Sequence, residues 1–115
     1  MSIFVFGSNL SGRHGKGAAL YARKHHGAVY GIGEGRTGNS YAIPTKDKNL
    51  KSRSLLEIKE SINLFIKYAE ENPSLTFQVT KVGCGLAGFK EEEIAPMFAS
   101  APSNCKLPDN WYNLK

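Results

Sequence analysis

The chain's 115 residues are enough for one domain with one modest core, and its composition, 41% hydrophobic and 22% charged, is ordinary for a globular protein. No run approaches the ~20 apolar residues of a membrane span, and the opening MSIFVFGSNL has no basic start and loses its apolar character at Gly7, so no secretory signal is expected and a cytoplasmic setting is expected. A net charge of +5 and a pI of about 9.3 favour anionic partners such as nucleotides, phosphates or nucleic acid.

IFVF at 3–6 is a continuous apolar run and reads as a buried central strand. GSNLSGRHGKG at 7–17 is a glycine-rich loop. AALYARKHH at 18–26 reads as a helix with Gly27 as its stop, and His25 and His26 at its end suit the helix dipole. Residues 28–32 suit a short strand. GEGRTGN at 33–39 is a second glycine loop, whose Glu34 and Arg36 either rim a pocket or occupy a plain turn. SYAIPT at 40–45 is strand-like, with Pro44 limiting its ladder or marking its end. KDKNLKSR at 46–53 is the densest basic stretch and reads first as a solvated loop.

The clearest helix covers 54–73, where Leu55, Ile58, Ile62, Phe65, Ile66 and Ala69 share one apolar face. Ser54 with Glu57 makes a capping box at its start, and Pro73 closes it. Residues 75–83 alternate as a strand does and run into VGCGLAGF at 82–89. KEEEIAPMFAS at 90–100 reads as a short helix with Glu91, Glu92 and Glu93 in its first turn. The tail, 101–115, is expected to wrap the surface and dock Trp111 as an apolar plug. Cys84 and Cys105 make no disulfide framework and are expected as reduced thiols.

This order of elements is α/β, a sheet covered by helices in a single domain, 1–115. In such folds ligands sit beyond the carboxyl ends of strands, and the loops at 7–17 and 83–88 both follow strands. Glycines let a ligand approach the backbone, and free N–H groups at a helix start bind phosphate. The first loop also carries Arg13, His14 and Lys16, and two facing cradles of this kind suit a diphosphate. Neither loop matches the glycine-lysine-serine/threonine phosphate loop or the full dinucleotide fingerprint. No cluster has metal-ligand spacing, and no cofactor is called for.

VGCGLAG, taken with FVFGSN…GKGAALYA and SYAIPTKD, resembles the motifs of macro domains. The pattern is most similar to the branch that includes terminal ADP-ribose glycohydrolases. The resemblance spans roughly residues 3–98 and implies a mixed sheet flanked by helices and a site for ADP-ribose or a related nucleotide. It places Asn9 at the distal ribose, Gly15 and Gly17 at the phosphates, and Gly83, Cys84, Gly85, Leu86 and Gly88 in the diphosphate loop; Lys16 and Ala87, within the same loops, are ligand-binding candidates with them. Phe89 falls beside the distal ribose, and Lys46 where that branch has a lysine that attacks the ribose carbon. Ser8, Arg13, His14 and Glu34 are further candidates around the site.

Two departures bear on function. The glycohydrolase branch has an acidic residue where this chain has Ala87, leaving Glu34 or Asp47 as replacements. The strands that usually precede the first one here, with an Asp that reads adenine, are also missing from the pattern. Three functions follow: nucleotide binding; cleavage of an ADP-ribosyl or N-glycosidic bond by Lys46; and, in another class, basic nucleic-acid binding, which lacks an aromatic RNA signature or a basic stripe in the sequence. Cys84 reads as packing between glycines, with nucleophile, partnered by His14, as the alternative. His14 itself is divided between phosphate contact and solvent.

Overall fold

The run at 3–6 is the middle of a longer strand, β1 (Ser2–Asn9), which carries the central position of a five-stranded sheet in the computed structural model, which describes residues 2–114. The strand extends through Gly7, Ser8 and Asn9, read above as loop. The reason is a parallel neighbour, β3 (Ser40–Lys46), whose ladder carries β1 past its apolar residues. The sheet order is β2-β3-β1-β4-β5, with β4 (Thr76–Val79) and β5 (Cys105–Lys106) parallel and only β2 (Gly35–Thr37) antiparallel. The mixed sheet flanked by helices is therefore observed.

Helix α1 (Gly17–His25) covers one face of the sheet, and α2 (Leu55–Glu71) the other. The α2 face holds the main core. Ile58, Ile62, Phe65, Ile66 and Ala69 are buried against Ile3, Val5, Ile43 and Phe77, while Leu55, expected inward, is 36% exposed at the helix start. Each large side chain so buried contributes roughly 1.5–3 kcal/mol. The capping box forms as the sequence implies: Ser54 Oγ accepts from Glu57 N, and Glu57 Oε1 accepts from Ser54 N. The α1 face holds a smaller core of Phe6 with Ala19, Ala22, Ala28 and Ala42.

Several boundaries differ from expectation for local reasons. Residues 28–32 form no strand and turn at Tyr30 and Gly31, and the strand lies at 35–37 inside the second glycine loop, where it pairs with Ser40–Ala42. Pro44 lies beyond that pairing, so β3 tolerates it. The helix expected at 90–100 is a single turn, α3 (Glu91–Ile94), which tightens into a 3₁₀ turn at Ala95–Phe98, where Pro96 stands. The tail adds β5 and a 3₁₀ turn, Asp109–Asn113, that buries Trp111 completely. No helix of the described residues is long and apolar enough to cross a membrane.

Candidate functional site

Because β1, β3 and β4 are parallel, their carboxyl ends lie along one edge of the sheet. The loops that leave this edge meet there. A Cβ built on Gly7 would lie 3.2 Å from Gly83 N and 3.6 Å from Thr45 Oγ1. A Cβ on Gly17 would lie 3.7 Å from Leu86 Cδ1. The start of α1 and the loop at 83–88 are thus neighbours across the edge.

Both leave backbone donors unused. Lys16 occupies the N-cap of α1 in an extended conformation with no side-chain cap, and the first turn has no acid. The early N–H groups of that helix therefore lack the partners that a cap would supply. In the facing loop, Gly88 N donates to Gly85 O and Phe89 N to Gly83 O, which closes a tight turn. No described residue accepts from the successive N–H groups of Gly85, Leu86 and Ala87. Leu86 projects with 66% of its surface exposed. Gly83 and Gly88 have φ of +78° and +80°, so the turn needs glycine there. Gly15 and Gly85 are different. Neither has positive φ, and a Cβ on either would meet nothing within 4 Å, so the fold does not require glycine at either place.

The first loop is held from within. Asn9 Oδ1 accepts from Ser11 Oγ at 2.8 Å and Arg13 N at 2.9 Å, and Asn9 Nδ2 donates to Arg13 O at 2.9 Å. Its amide folds the loop, and the ribose contact implied by the resemblance would have to compete with these bonds. Ser8 is buried and donates to Gly33 O. The backbone at 31–33 presses on 9–12: a Cβ on Gly33 would sit 2.1 Å from Asn9 O, and one on Gly12 2.2 Å from Gly31 C.

His14 is not in solvent. It is fully buried, edge-on to Phe6 at 5.6 Å and to Tyr30 at 6.0 Å, and neither ring nitrogen has a hydrogen-bond partner of normal geometry among the described residues. Burial pushes its pKa down; the nearby Ile32 backbone offsets part of this, and the Arg23 cation adds to it. Arg13, Lys16 and Gly17 are exposed beside it.

Cys84 packs against the core on the α2 face, with its thiol on Val82 O at 3.5 Å. Burial, and then the Glu91 charge, push its pKa up to about 11. The thiolate a nucleophile needs is disfavoured, and His14 lies on the opposite face, so packing is what the structure gives. Phe89 also packs on the α2-side core, close to Gly83. The chain after the second loop is no anion cradle: α3 is one turn, carries three Glu in that turn, and has Lys90 N taken by Glu93 Oε1 at 2.9 Å.

Lys46 ends β3 at this edge and is half-buried. An extra residue, Thr45, separates the pairs Ser8↔Pro44 and Asn9↔Lys46, a bulge that breaks the in–out alternation just before the lysine. Its ammonium makes no hydrogen bond or ion pair with the described residues. The following stretch is exposed at 48–52, as expected of a solvated loop, and is closed into a turn. Asp47 Oδ1 accepts from Asn49 N and Lys51 N, Leu50 adopts φ of 63°, and Lys46 bridges Ser52. Asp47 is therefore occupied by its own turn. Glu34 is exposed next to β2, and burial, then the Glu34 charge, push Tyr41 up to about 12. Arg36 reaches Tyr68 on α2.

Sequence patterns did not reveal Thr45 or Ser52. Thr45 Oγ1 donates to Ser8 O at 3.3 Å, and Ser52 Oγ donates to Ala87 O at 2.8 Å, which ties the basic turn to the second glycine loop. Ser52 carries no periodicity or motif that could have marked it.

Among solved structures, the macrodomain of Mycobacterium tuberculosis DarG is similar to this chain over 91% of this chain and 86% of that one, with a TM-score of 0.67 and 20% sequence identity. The fold is that of a macrodomain. No family model matches the chain, and no curated protein matches it. Two shallow cavities of about 360 and 370 Å³ in this macrodomain fold lie elsewhere, one against Lys59, Asn63 and Met97, the other against Pro102, Cys105 and Tyr112. The glycine loops are instead distinguished by their open donors.

Proposed function

We propose that the chain binds ADP-ribose or a related nucleotide diphosphate, with the diphosphate between the start of α1 and the loop at 83–88. One observation carries this: an uncapped helix start faces a loop whose N–H groups at Gly85, Leu86 and Ala87 have no acceptor among the described residues. Such donors, with a helix dipole behind one set, favour an anion over water. The likeness in fold to a macrodomain supports the same reading. Gly15 and Gly85, which the fold does not need, keep the approach to both cradles open.

Isothermal calorimetry with ADP-ribose tests it on the wild type and on Gly85→Val. Binding is expected for the wild type, and a loss of at least about tenfold is expected for the variant at unchanged apo stability, because the added side chain fills only space above the backbone. No heat and no melting shift for the wild type at millimolar ADP-ribose would overturn the proposal.

Lys46 supports a second reading, cleavage of an ADP-ribosyl bond, because its ammonium has no hydrogen-bond or ion-pair partner among the described residues at the same edge. An attacking amine also needs an acid–base partner, whose loss typically costs about 10²- to 10⁴-fold. Ala87 supplies none, and Asp47 is occupied by backbone N–H groups. Turnover is therefore expected to be slow or absent. Rapid release of ADP-ribose from a modified glutamate peptide by the wild type, lost in Lys46→Ala, would reverse that order.

A further inference from the structure

The net positive charge of this chain is not spread over it. Residues 1–33 carry Arg13, Lys16, Arg23 and Lys24, every histidine, and no Asp or Glu; all 10 acidic residues lie in 34–115, where they nearly balance the remaining Lys and Arg. Helix α1 carries most of these cations: Lys16 is exposed at its start, and Arg23, Lys24 and His25 are exposed in its last turn. The α2 side exposes Lys59 and Lys67 alongside Glu60, Glu70 and Glu71 and has no such excess.

Aromatic rings lie among these cations. Tyr21 is 51% exposed and Tyr30 is 56% exposed. The Arg23 guanidinium lies 5.6 Å from the centroid of the Tyr30 ring, and Tyr21 tilts against His25 at 4.7 Å. Val29 and Ile32 are exposed beside Tyr30. A partner that fits must supply repeated negative charge and flat faces that stack. Duplexes present the charge but hide the faces, and acidic peptides lack them. We infer that the α1 face, through Tyr21, Arg23, Lys24 and Tyr30, binds single-stranded nucleic acid, its phosphates on the cations and its bases on the rings. Tyr21, Arg23, Lys24 and Tyr30 are not among the proposed diphosphate contacts, although Tyr30 packs on His14 of the first glycine loop.

The test is fluorescence anisotropy with a labelled mixed-sequence oligonucleotide of about 12 nucleotides, as DNA and as RNA, over a salt series, with heparin as a polyanion without bases. Arg23→Glu with Lys24→Glu is expected to weaken oligonucleotide binding at least ~10-fold and to flatten the logarithmic salt slope by about 1.4, near 0.7 per phosphate contact. Tyr21→Leu and Tyr30→Leu keep apolar cover over Phe4 and His14 and remove the stacking face. Each should cost about fivefold or more with the oligonucleotide and leave heparin unchanged. Lys59→Glu with Lys67→Glu on the other face should change affinity less than about twofold. The inference is overturned if the wild type does not bind at low salt, if the α2-face reversal costs as much as the α1-face reversal, or if the tyrosine variants bind as the wild type does. The ADP-ribose melting shift should survive Arg23→Glu with Lys24→Glu, so failure here and failure of the nucleotide site are read separately.

Discussion

The two long helices begin in opposite ways. α2 opens with a complete capping box from Ser54 and Glu57 and lies on the main core. α1 opens on Lys16, which has no oxygen to offer, between glycines, over a core made largely of alanine. One helix start is finished by its own sequence, and the other is left open toward a loop with idle N–H groups. The difference teaches where this macrodomain fold is stabilised and where it is free to bind. The α2 side supplies burial, and the α1 side supplies donors, cations and exposed rings.

The largest expected effect breaks the α2 side. Phe65 is fully buried and meets Tyr41, Phe77 and Phe98 ring to ring. Phe65→Ala should cost about 3–5 kcal/mol in urea unfolding, a large share of the stability of a small domain. The glycines sharpen the comparison on the other side. Gly33→Ala would drive a Cβ to 2.1 Å from Asn9 O, so the two loops must part, at a cost of roughly 1–3 kcal/mol. Gly85→Ala meets open space at ordinary φ and should stabilise the apoprotein slightly, by up to about 0.4–1 kcal/mol, while weakening ADP-ribose. Equal melting points for Gly33→Ala and Gly85→Ala would contradict the separation of packing glycines from ligand glycines.

The helix starts give a smaller and more diagnostic pair. Ser54→Ala removes a cap and should cost about 1 kcal/mol. Lys16 already has the extended conformation of an N-cap, φ −149° and ψ 161°. Lys16→Asp should therefore install the missing cap, raise apo stability by about 0.5–1 kcal/mol, and abolish anion binding by placing a carboxylate on the same donors. A variant that gained stability and still bound ADP-ribose would place the ligand elsewhere.

The sequence showed α2 with its cap and the α/β plan of a sheet covered by helices, because those depend on local periodicity and on residue types with narrow conformational roles. It did not show that β1 runs on through Asn9, since that extension rests on the ladder with β3 and not on the residues of β1. The strand at 35–37 was hidden for the same reason: GRT has little strand character, and Ser40–Ala42 imposes it. Within the site, Asn9 was marked by pattern, but its amide is used on Ser11 and Arg13, a choice made by the fold of one loop. His14, set among glycines, gave no hint of burial, because its covers, Phe6 and Tyr30, come from a strand and a distant turn.

The two sides should also differ in how acid affects them. His14 on the α1 side has a lowered pKa, so its neutral form belongs to the fold. Above the ordinary value of 6.5 both folded and unfolded chains hold it neutral and the stability is complete. As pH falls below that value the unfolded chain takes up the proton first, and stability drains until the lowered folded pKa is passed. Glu91 works in a different window. Hydrogen bonds from Asn110 and Trp111, and then the ion pair with Lys81 at 3.3 Å, hold its carboxyl below the usual 4.5. Its contribution is complete above 4.5 and is lost only as pH falls through the lowered value. A melting series from pH 8 to pH 3 should therefore show an early decline that His14→Leu removes and a late one that Glu91→Gln reduces. Leucine fills the apolar slot between Phe6 and Tyr30 without a protonatable nitrogen. If His14→Leu kept the full decline between pH 7 and pH 5.5, the buried imidazole would not be its source, and the loop it anchors would not be the acid-sensitive side of the fold.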